Sequence, residues 1–236
     1  MADIAGGDPR YAGDRGAADP AVAAALTAYA AGTGGERAVL QALAASRLLV
    51  PVVAVLAEAE PPTDPGGPGG EKASEMAMPK IIGRDGRAAL PAFTSAGTLR
   101  RWRQEARPVP VPAAGVWQSA VQESCAVIID LAGPVPLAVE GARLAALAAG
   151  QQPPELHADP DVWEQVAAAA AEVAPGIRVR LSAGQAGADL TLELAPPAGA
   201  VRGVPDEMAS QIAELAAARL GGRVRAGLAV FVRPPG

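Results

Sequence analysis

The spacing of apolar residues along the chain predicts a series of amphipathic helices. Asp19 followed by Pro20 has the form of an N-cap before a proline at the first helical position, and Gly32 ends that helix. Thr33, with Glu36 three residues later, has the form of a capping box and predicts a second helix that runs to about residue 46. Further helices are predicted after Ser95 and over residues 113–124, 140–149, 160–173 and 206–220.

Apolar runs and alternating patterns predict the strands between these helices. The continuous run 48–56 predicts a buried strand, and Pro51 within it, which lacks a backbone donor, predicts an edge position or a bulge there. Asp85-Gly86 predicts a hairpin turn between 76–82 and 88–94. Other strands are predicted over 126–130, 135–139, 177–181, 190–194 and 223–232.

Together these elements predict an α+β protein of two small domains. We expect a frayed tail over 1–18 and an N-terminal domain over 19–150, with a mixed or antiparallel sheet flanked by helices. The stretch 57–75 contains PPTDPGGPGG and predicts a flexible insertion. A polar, proline-containing linker at 150–158 marks the boundary to a C-terminal α-β-β-α-β domain over 159–236, with helices on one face of a small sheet.

Composition excludes several classes of site. One cysteine excludes a disulfide framework and a multi-thiolate metal site, and one histidine excludes the common zinc sites, so we expect neither a metal nor a cofactor. No signal peptide is recognisable and no apolar run reaches the length of a membrane span, which favours a soluble, cytoplasmic protein with no membrane partner. The net charge of −5 excludes a chain that binds polyanions over its whole surface.

Charge is nevertheless segregated along the chain. Residues 80–107 carry seven cations and two anions, a net charge of +5, whereas the residues before and after them each sum to −5. Three interpretations of this segment stay open: a surface for an acidic protein partner, a surface for RNA or a ribonucleoprotein with Trp102 stacked on a base, or an ordinary solvated face. The candidate binding residues are Arg84, Arg87, Phe93, Ser95, Arg100, Arg101, Trp102, Arg103 and Arg107.

The remaining polar residues form no recognisable catalytic set. Ser95 before a helix is interpreted as a plain N-cap in preference to an anion site. Cys125 at the start of a strand is typical of a buried thiol, and the only histidine, His157, falls in the linker. Asp130, followed by Leu-Ala-Gly-Pro, is typical of a turn-forming aspartate after a strand. We therefore expect no catalytic residues and no enzyme.

Residues 20–150 resemble the N-terminal domain of the SseB family. The resemblance rests on SRLLVPVVAVL (46–56), EKASEMAMPKIIGRDGRAALPAFTS (71–95), LRRWRQEARPVPV (99–111) and VIIDLAGPVPLAVEGARLAALAAG (127–150). It implies a soluble, cytoplasmic α+β protein of bacteria, and the Arg/Ala/Pro-rich composition fits an actinobacterial member. It supplies no catalytic residues. The pattern-bearing positions are Lys72, Met76, Phe93, Thr94, Ser95, Trp102, Pro108, Asp130, Gly133 and Pro134.

The sequence as a whole favours a non-enzymatic binding or adaptor protein. The expected partner is a protein that contacts the basic surface around 80–107. RNA or ribonucleoprotein binding by the same surface is one alternative, and a sensor of an amino-acid-related small molecule, suggested by the family's name, is the other.

Overall fold

The computed structural model describes residues 9–56, 74–77, 79–197 and 203–234, with the backbone alone for 54–56 and 74–77. The predicted α+β class is confirmed. Most of the predicted insertion, residues 57–73, lies outside the described residues. The elements are α1 (Pro20–Ala30), α2 (Glu36–Ala44), β1 (Arg47–Leu56), β2 (Ser74–Ala77), β3 (Ile81–Ile82), β4 (Ala88–Ala92), α3 (Ala96–Trp102), β5 (Arg107–Pro112), α4 (Ala113–Gln122), β6 (Ala126–Ile129), β7 (Leu137–Val139), α5 (Gly141–Ala148), α6 (Pro160–Val173), β8 (Arg178–Ala183), β9 (Leu190–Ala195), α7 (Asp206–Leu220) and β10 (Leu228–Val232).

The chain forms two compact units whose segments alternate along the sequence. The first unit contains the described residues of 1–19 and 46–139, and the second contains those of 20–45 and 140–236. This division differs from the predicted boundary at 150–158, because α1, α2 and α5 pack with the C-terminal elements. The hydroxyl of Tyr29 on α1 donates to the carbonyl oxygen of Gly222, and Gln41 on α2 donates to Gln152 at 2.7 Å. These contacts join residues more than a hundred positions apart, so no local sequence pattern predicts them.

The first unit is built from two sheets. One has the order β2-β1-β5 and is antiparallel, and the other has the order β3-β4-β6-β7 and is mixed, with β4 and β6 parallel. The predicted hairpin at Gly83–Gly86 is present, since β3 pairs antiparallel with β4. Leu49 of β1 and Phe93, just beyond β4, exchange two backbone hydrogen bonds of 2.8 and 2.9 Å, which link the two sheets.

The prolines of β1 and β5 fall where the sheet does not need a donor. Because the backbone of Leu49 points to Phe93, alternation turns Leu49 and Pro51 away from β5. On the side of β1 away from β5, Phe93 bonds to Leu49 and β2 pairs from Val53 onward. Pro51 lies between these two positions. Its register with β5 is unbroken, so the expectation of a bulge is wrong, whereas Pro51 does lie at a local edge, because no described strand pairs with it on the side away from β5.

The same alternation explains the Pro-Val-Pro-Val-Pro sequence of β5. Val109 and Val111 lie opposite Val50 and Leu48 and supply the donors to β1, whereas the three prolines have their missing N–H groups on the outer edge. The outer edge of β5 therefore keeps its carbonyl acceptors but has no donor for a further strand.

Residues 9–18 differ from the predicted frayed tail. The guanidinium of Arg47, at the start of β1, donates to the carboxylate of Asp14 and to the carbonyl oxygens of Ala17 and Thr94. The N–H of Ala96 donates to Gly16 O at 2.8 Å. These bonds attach the segment to the first unit, while residues 1–8 of the predicted tail lie outside the described residues.

The second unit contains the predicted α-β-β-α-β arrangement as α6-β8-β9-α7-β10. Its sheet has the order β10-β9-β8, with β8 antiparallel and β10 parallel to β9. Leu190, Leu192 and Leu194 of β9 are fully buried against α6 and α7. Asp159 caps α6 as predicted, because its carboxylate accepts from the N–H of Asp161 at 2.9 Å.

The predicted capping box at the start of α2 is wrong, and the difference reveals a buried charge network. Gly35 is the N-cap, and the Thr33 hydroxyl bonds to Ala28 O instead. Glu36, only 6% exposed, turns inward and accepts from Arg143 and, at 3.1 Å, from Arg223. The spacing of Thr33 and Glu36 fits a capping box, but in the structure Glu36 belongs to a buried ion pair.

Two arginines share the carboxylates of this network unequally. Arg223 is also bonded to Asp159 at 2.5 Å; burial lowers the pKa of Arg223, but Glu36 and Asp159 together outweigh it and raise the pKa. Burial lowers the pKa of Arg143, which is 4% exposed and is repelled by Arg223. The Arg143 charge is therefore the less compensated one and depends on Glu36.

We predict that Glu36→Gln lowers the free energy of unfolding by about 3 kcal/mol or more, because it leaves the Arg143 charge buried without its counter-ion. The neighbouring Arg37→Gln is the control, since it removes the pair between Arg37 and Glu155, whose side chains are 37% and 54% exposed, and one hydrogen bond to Pro153 O. Urea denaturation measures both variants. Equal effects of the two would contradict the assignment.

Candidate functional site

Helix α3, which ends at Trp102, begins shortly after β4, and a side-chain cap fixes its first residue. The Ser95 hydroxyl accepts from the N–H of Thr98 at 3.1 Å, as the N-cap interpretation predicted. Phe93, which the sequence analysis predicted as a binding residue, is completely buried and packs with Leu49 and Leu99. Its place is in the core beneath α3, which corrects its assignment to the surface.

A buried carboxylate ties the start of α3 to the neighbouring strand. Asp130 follows β6, which is parallel and adjacent to β4, and it is 3% exposed. Its Oδ1 accepts from the Thr94 N–H at 2.9 Å and from the Thr98 hydroxyl at 2.6 Å, and its Oδ2 accepts from the Thr94 hydroxyl at 2.6 Å. Hydrogen bonds, not a cation, therefore compensate this charge among the described residues.

The backbone around Asp130 has an unusual form that the sequence accommodates. Asp130 has a φ of +48°, a left-handed conformation that aspartate tolerates better than most residues. Gly133 donates from its N–H to Asp130 O at 2.6 Å, and a Cβ at Gly133 would lie 2.9 Å from that oxygen. The Asp-x-x-Gly spacing is thus a tight turn that aims the carboxylate at α3.

The ring of Trp102 lies half-buried at the end of α3 and already has two partners. It packs on Phe93 with ring centroids 5.5 Å apart, and the Arg103 guanidinium lies 5.0 Å from the ring centroid. Arg103 also pairs with Glu105 at 3.4 Å. Trp102 therefore joins the core to the exposed arginines around it.

The structure divides the predicted arginines into two groups. Arg84 lies in the turn before β4 and Arg87 directly follows it, and Arg87 pairs with Asp85 at 2.5 Å. Arg100 and Arg101 lie on α3, beyond the other end of β4. The two groups are therefore separated by the five residues of β4, a length of about 17 Å. We call the second group the α3 basic surface and define it by Arg100, Arg101, Arg103 and Arg107.

The α3 basic surface contains cations that have no counter-ion among the described residues. All four of its arginines are exposed, and Arg100, Arg101 and Arg107 form no ion pair with any residue in the described ranges. Thr98 and Asp130, which hold the surface in place, were not among the predicted binding residues. The Asp-x-x-Gly spacing was the signal for Asp130, Thr98 had none, and neither segment's sequence says that the two meet.

Other chemistry is sparse in the described residues. Cys125 is 7% exposed, and burial raises the pKa of its thiol, which disfavours the reactive thiolate. Within 9–56, 74–77, 79–197 and 203–234, no group of three or more His, Cys, Asp or Glu side chains is placed to hold a metal ion. None of the helices in those ranges is long and apolar enough to cross a membrane.

Residues 22–146 match the family model described as SseB protein N-terminal domain. That match covers more than half of the chain and includes elements from both compact units. Searches of curated proteins and of solved structures find no match.

We predict that Asp130→Ala lowers the free energy of unfolding by about 3 kcal/mol, because it leaves Thr94 N–H without its acceptor and places alanine at a positive φ. Asp130→Asn retains an acceptor oxygen and tolerates the backbone, so its loss should be about 1 kcal/mol. Urea denaturation with tryptophan fluorescence measures both. Equal losses for the two variants would contradict the proposed role of the hydrogen bonds.

Proposed function

The chain belongs to the SseB family, and from that premise we propose that it is a non-enzymatic binding protein whose α3 basic surface docks an acidic surface of a protein partner. The observation that carries the proposal is the set of exposed arginines on and after α3 that lack a counter-ion among the described residues. Each would gain a charge-assisted hydrogen bond on contact with a carboxylate.

The way α3 is held supports binding in preference to a merely solvated face. Ser95 caps the helix and Asp130 fixes its first turn, while Phe93 and Leu99 anchor it from below. A surface that is rigid before binding loses less conformational entropy when a partner docks. A mobile loop would present the same charges at a higher entropic cost.

The surroundings of Trp102 favour a protein over RNA. Stacking of a base requires an open face of the ring, and here the ring contacts Phe93 and Arg103. A base would have to displace the Arg103 guanidinium before it could stack. An acidic protein surface meets no such obstacle, because it approaches Arg100 and Arg101 from solvent.

The polar groups nearest this surface support a non-catalytic role. The carboxylate of Asp130 already accepts three hydrogen bonds and is buried, so it is committed to holding α3. The Ser95 oxygen is committed to the helix cap. The proposal requires neither a cofactor nor a metal, and it assigns the protein to the cytoplasm, where such a partner would be met.

We predict that Arg100→Gln/Arg101→Gln abolishes retention of the partner by the tagged full-length chain, or weakens its affinity at least tenfold. The matched control is Arg178→Gln/Arg180→Gln, which removes the same charge from β8 and should retain the partner. Both chains are used to capture partners from the native lysate with and without nuclease, and the affinity of the purified partner is then measured against salt.

Two outcomes would overturn the proposal. Loss of every bound component on nuclease treatment, with a steep salt dependence, would assign the surface to RNA or a ribonucleoprotein. Equal retention by the variant and its control would show that the arginines are only solvated.

A decisive positive result is recovery of binding when Arg100→Glu/Arg101→Glu meets a partner whose acidic residues are changed to arginine.

A further inference from the structure

Two outer edges in the described part of the chain carry features that discourage pairing with another strand. On β5 the three prolines remove the backbone donors from the outer edge. On β8, the edge of the sheet in the second unit, Arg178 and Arg180 add two exposed charges. Both devices hinder the addition of a foreign strand.

The opposite edge of the second unit's sheet lacks any such device. Strand β10 has the sequence Leu-Ala-Val-Phe-Val, with neither proline nor charge, and no strand in the described ranges pairs with its outer side. Phe231 is 48% and Val232 is 38% exposed. An uncharged apolar edge of this kind is a template for pairing with another strand.

Alternation shows which backbone groups of β10 are available. The N–H of Arg233 donates to Leu194 O of β9 at 2.8 Å, so residues 229, 231 and 233 face β9. The N–H and C=O groups of Leu228, Val230 and Val232 therefore face outward. These three residues form the open side of a ladder that is satisfied on its inner side.

The sequence of β10 is complementary to itself in the antiparallel direction. With Val230 opposite Val230 of a second copy, Leu228 lies opposite Val232, and the outward groups form about six hydrogen bonds. In the same register Phe231 lies opposite Ala229, so a large side chain covers a small one on the open face of the sheet. No charge faces a like charge, since Arg233 lies opposite Gly227 and is already paired with Glu193 at 2.6 Å.

We propose that the outer edge of β10 is a homodimerisation surface, through which two copies join their three-stranded sheets into one continuous sheet about a twofold axis. A second copy is the occupant that the strand itself specifies, because the register satisfies every outward backbone group. This inference concerns the second unit and is independent of the α3 basic surface in the first.

The test compares the full-length chain with Val232→Pro and Val232→Thr. Proline removes an outward donor from each copy without touching the ladder to β9, and threonine keeps the donor and the branched shape. Sedimentation velocity, from low to high micromolar concentration, should show a dimer for the wild type and for Val232→Thr. Val232→Pro should raise the dissociation constant roughly tenfold or more, and thermal unfolding confirms that it folds.

Hydrogen exchange of the β10 amides shows whether a second copy or the chain itself covers this edge. The amides of residues 229 and 231 should be protected at every concentration, whereas those of 228, 230 and 232 should become protected only as concentration rises. A monomer at all concentrations would overturn the proposal. So would a dimer that persists in Val232→Pro, or protection of the outward amides that does not depend on concentration, which would mean that the chain covers this edge itself.

Discussion

A buried carboxylate must have its lone pairs satisfied, and the first unit is organised around one such group. Asp130 lies at the end of β6 and collects hydrogen bonds from Thr94, after the parallel strand β4, and from Thr98, within the helix that follows. The three segments therefore share one electrostatic centre. If Asp130 were displaced, the first turn of α3 would lose its attachment to the sheet, and the arginines of the α3 basic surface would lose their fixed spacing.

The second unit uses the same constraint with a different compensation. Glu36 and Asp159 are paired with guanidinium groups, and Arg223 joins both carboxylates into one cluster. Asp161, on α6, caps the start of α5, because its Oδ2 accepts from the N–H of Ala142. Gly141, at a φ of +60°, leaves the space that this carboxylate fills. Polar contacts at helix ends thus fix how α2, α5 and α6 meet.

The sequence predicted well those features that depend on neighbours along the chain. Periodicity located the helices, Asp85-Gly86 located the hairpin, and Asp159 was correctly predicted as a cap, because each is decided within a few residues. Glu36 shows where such reasoning fails: its spacing from Thr33 fits a capping box, but a more favourable partner, Arg143, lies 107 positions away. The site shows the same limit, because nothing local indicates that Thr98 and Asp130 touch, 32 positions apart.

The alternation of the two units along the chain has a consequence for synthesis. The chain completes α1 and α2 early, yet Glu36 is 107 residues ahead of Arg143 and 187 ahead of Arg223. At roughly 5–20 residues per second, α2 emerges from the ribosome about 10–40 seconds before its last ionic partner exists. During that interval the apolar face of α2, with Val39, Leu40 and Leu43, has no native core to enter. The nascent chain therefore carries an exposed hydrophobic helix while residues 46–139 of the first unit are made, and an exposed helix of this kind is what ribosome-associated chaperones shield.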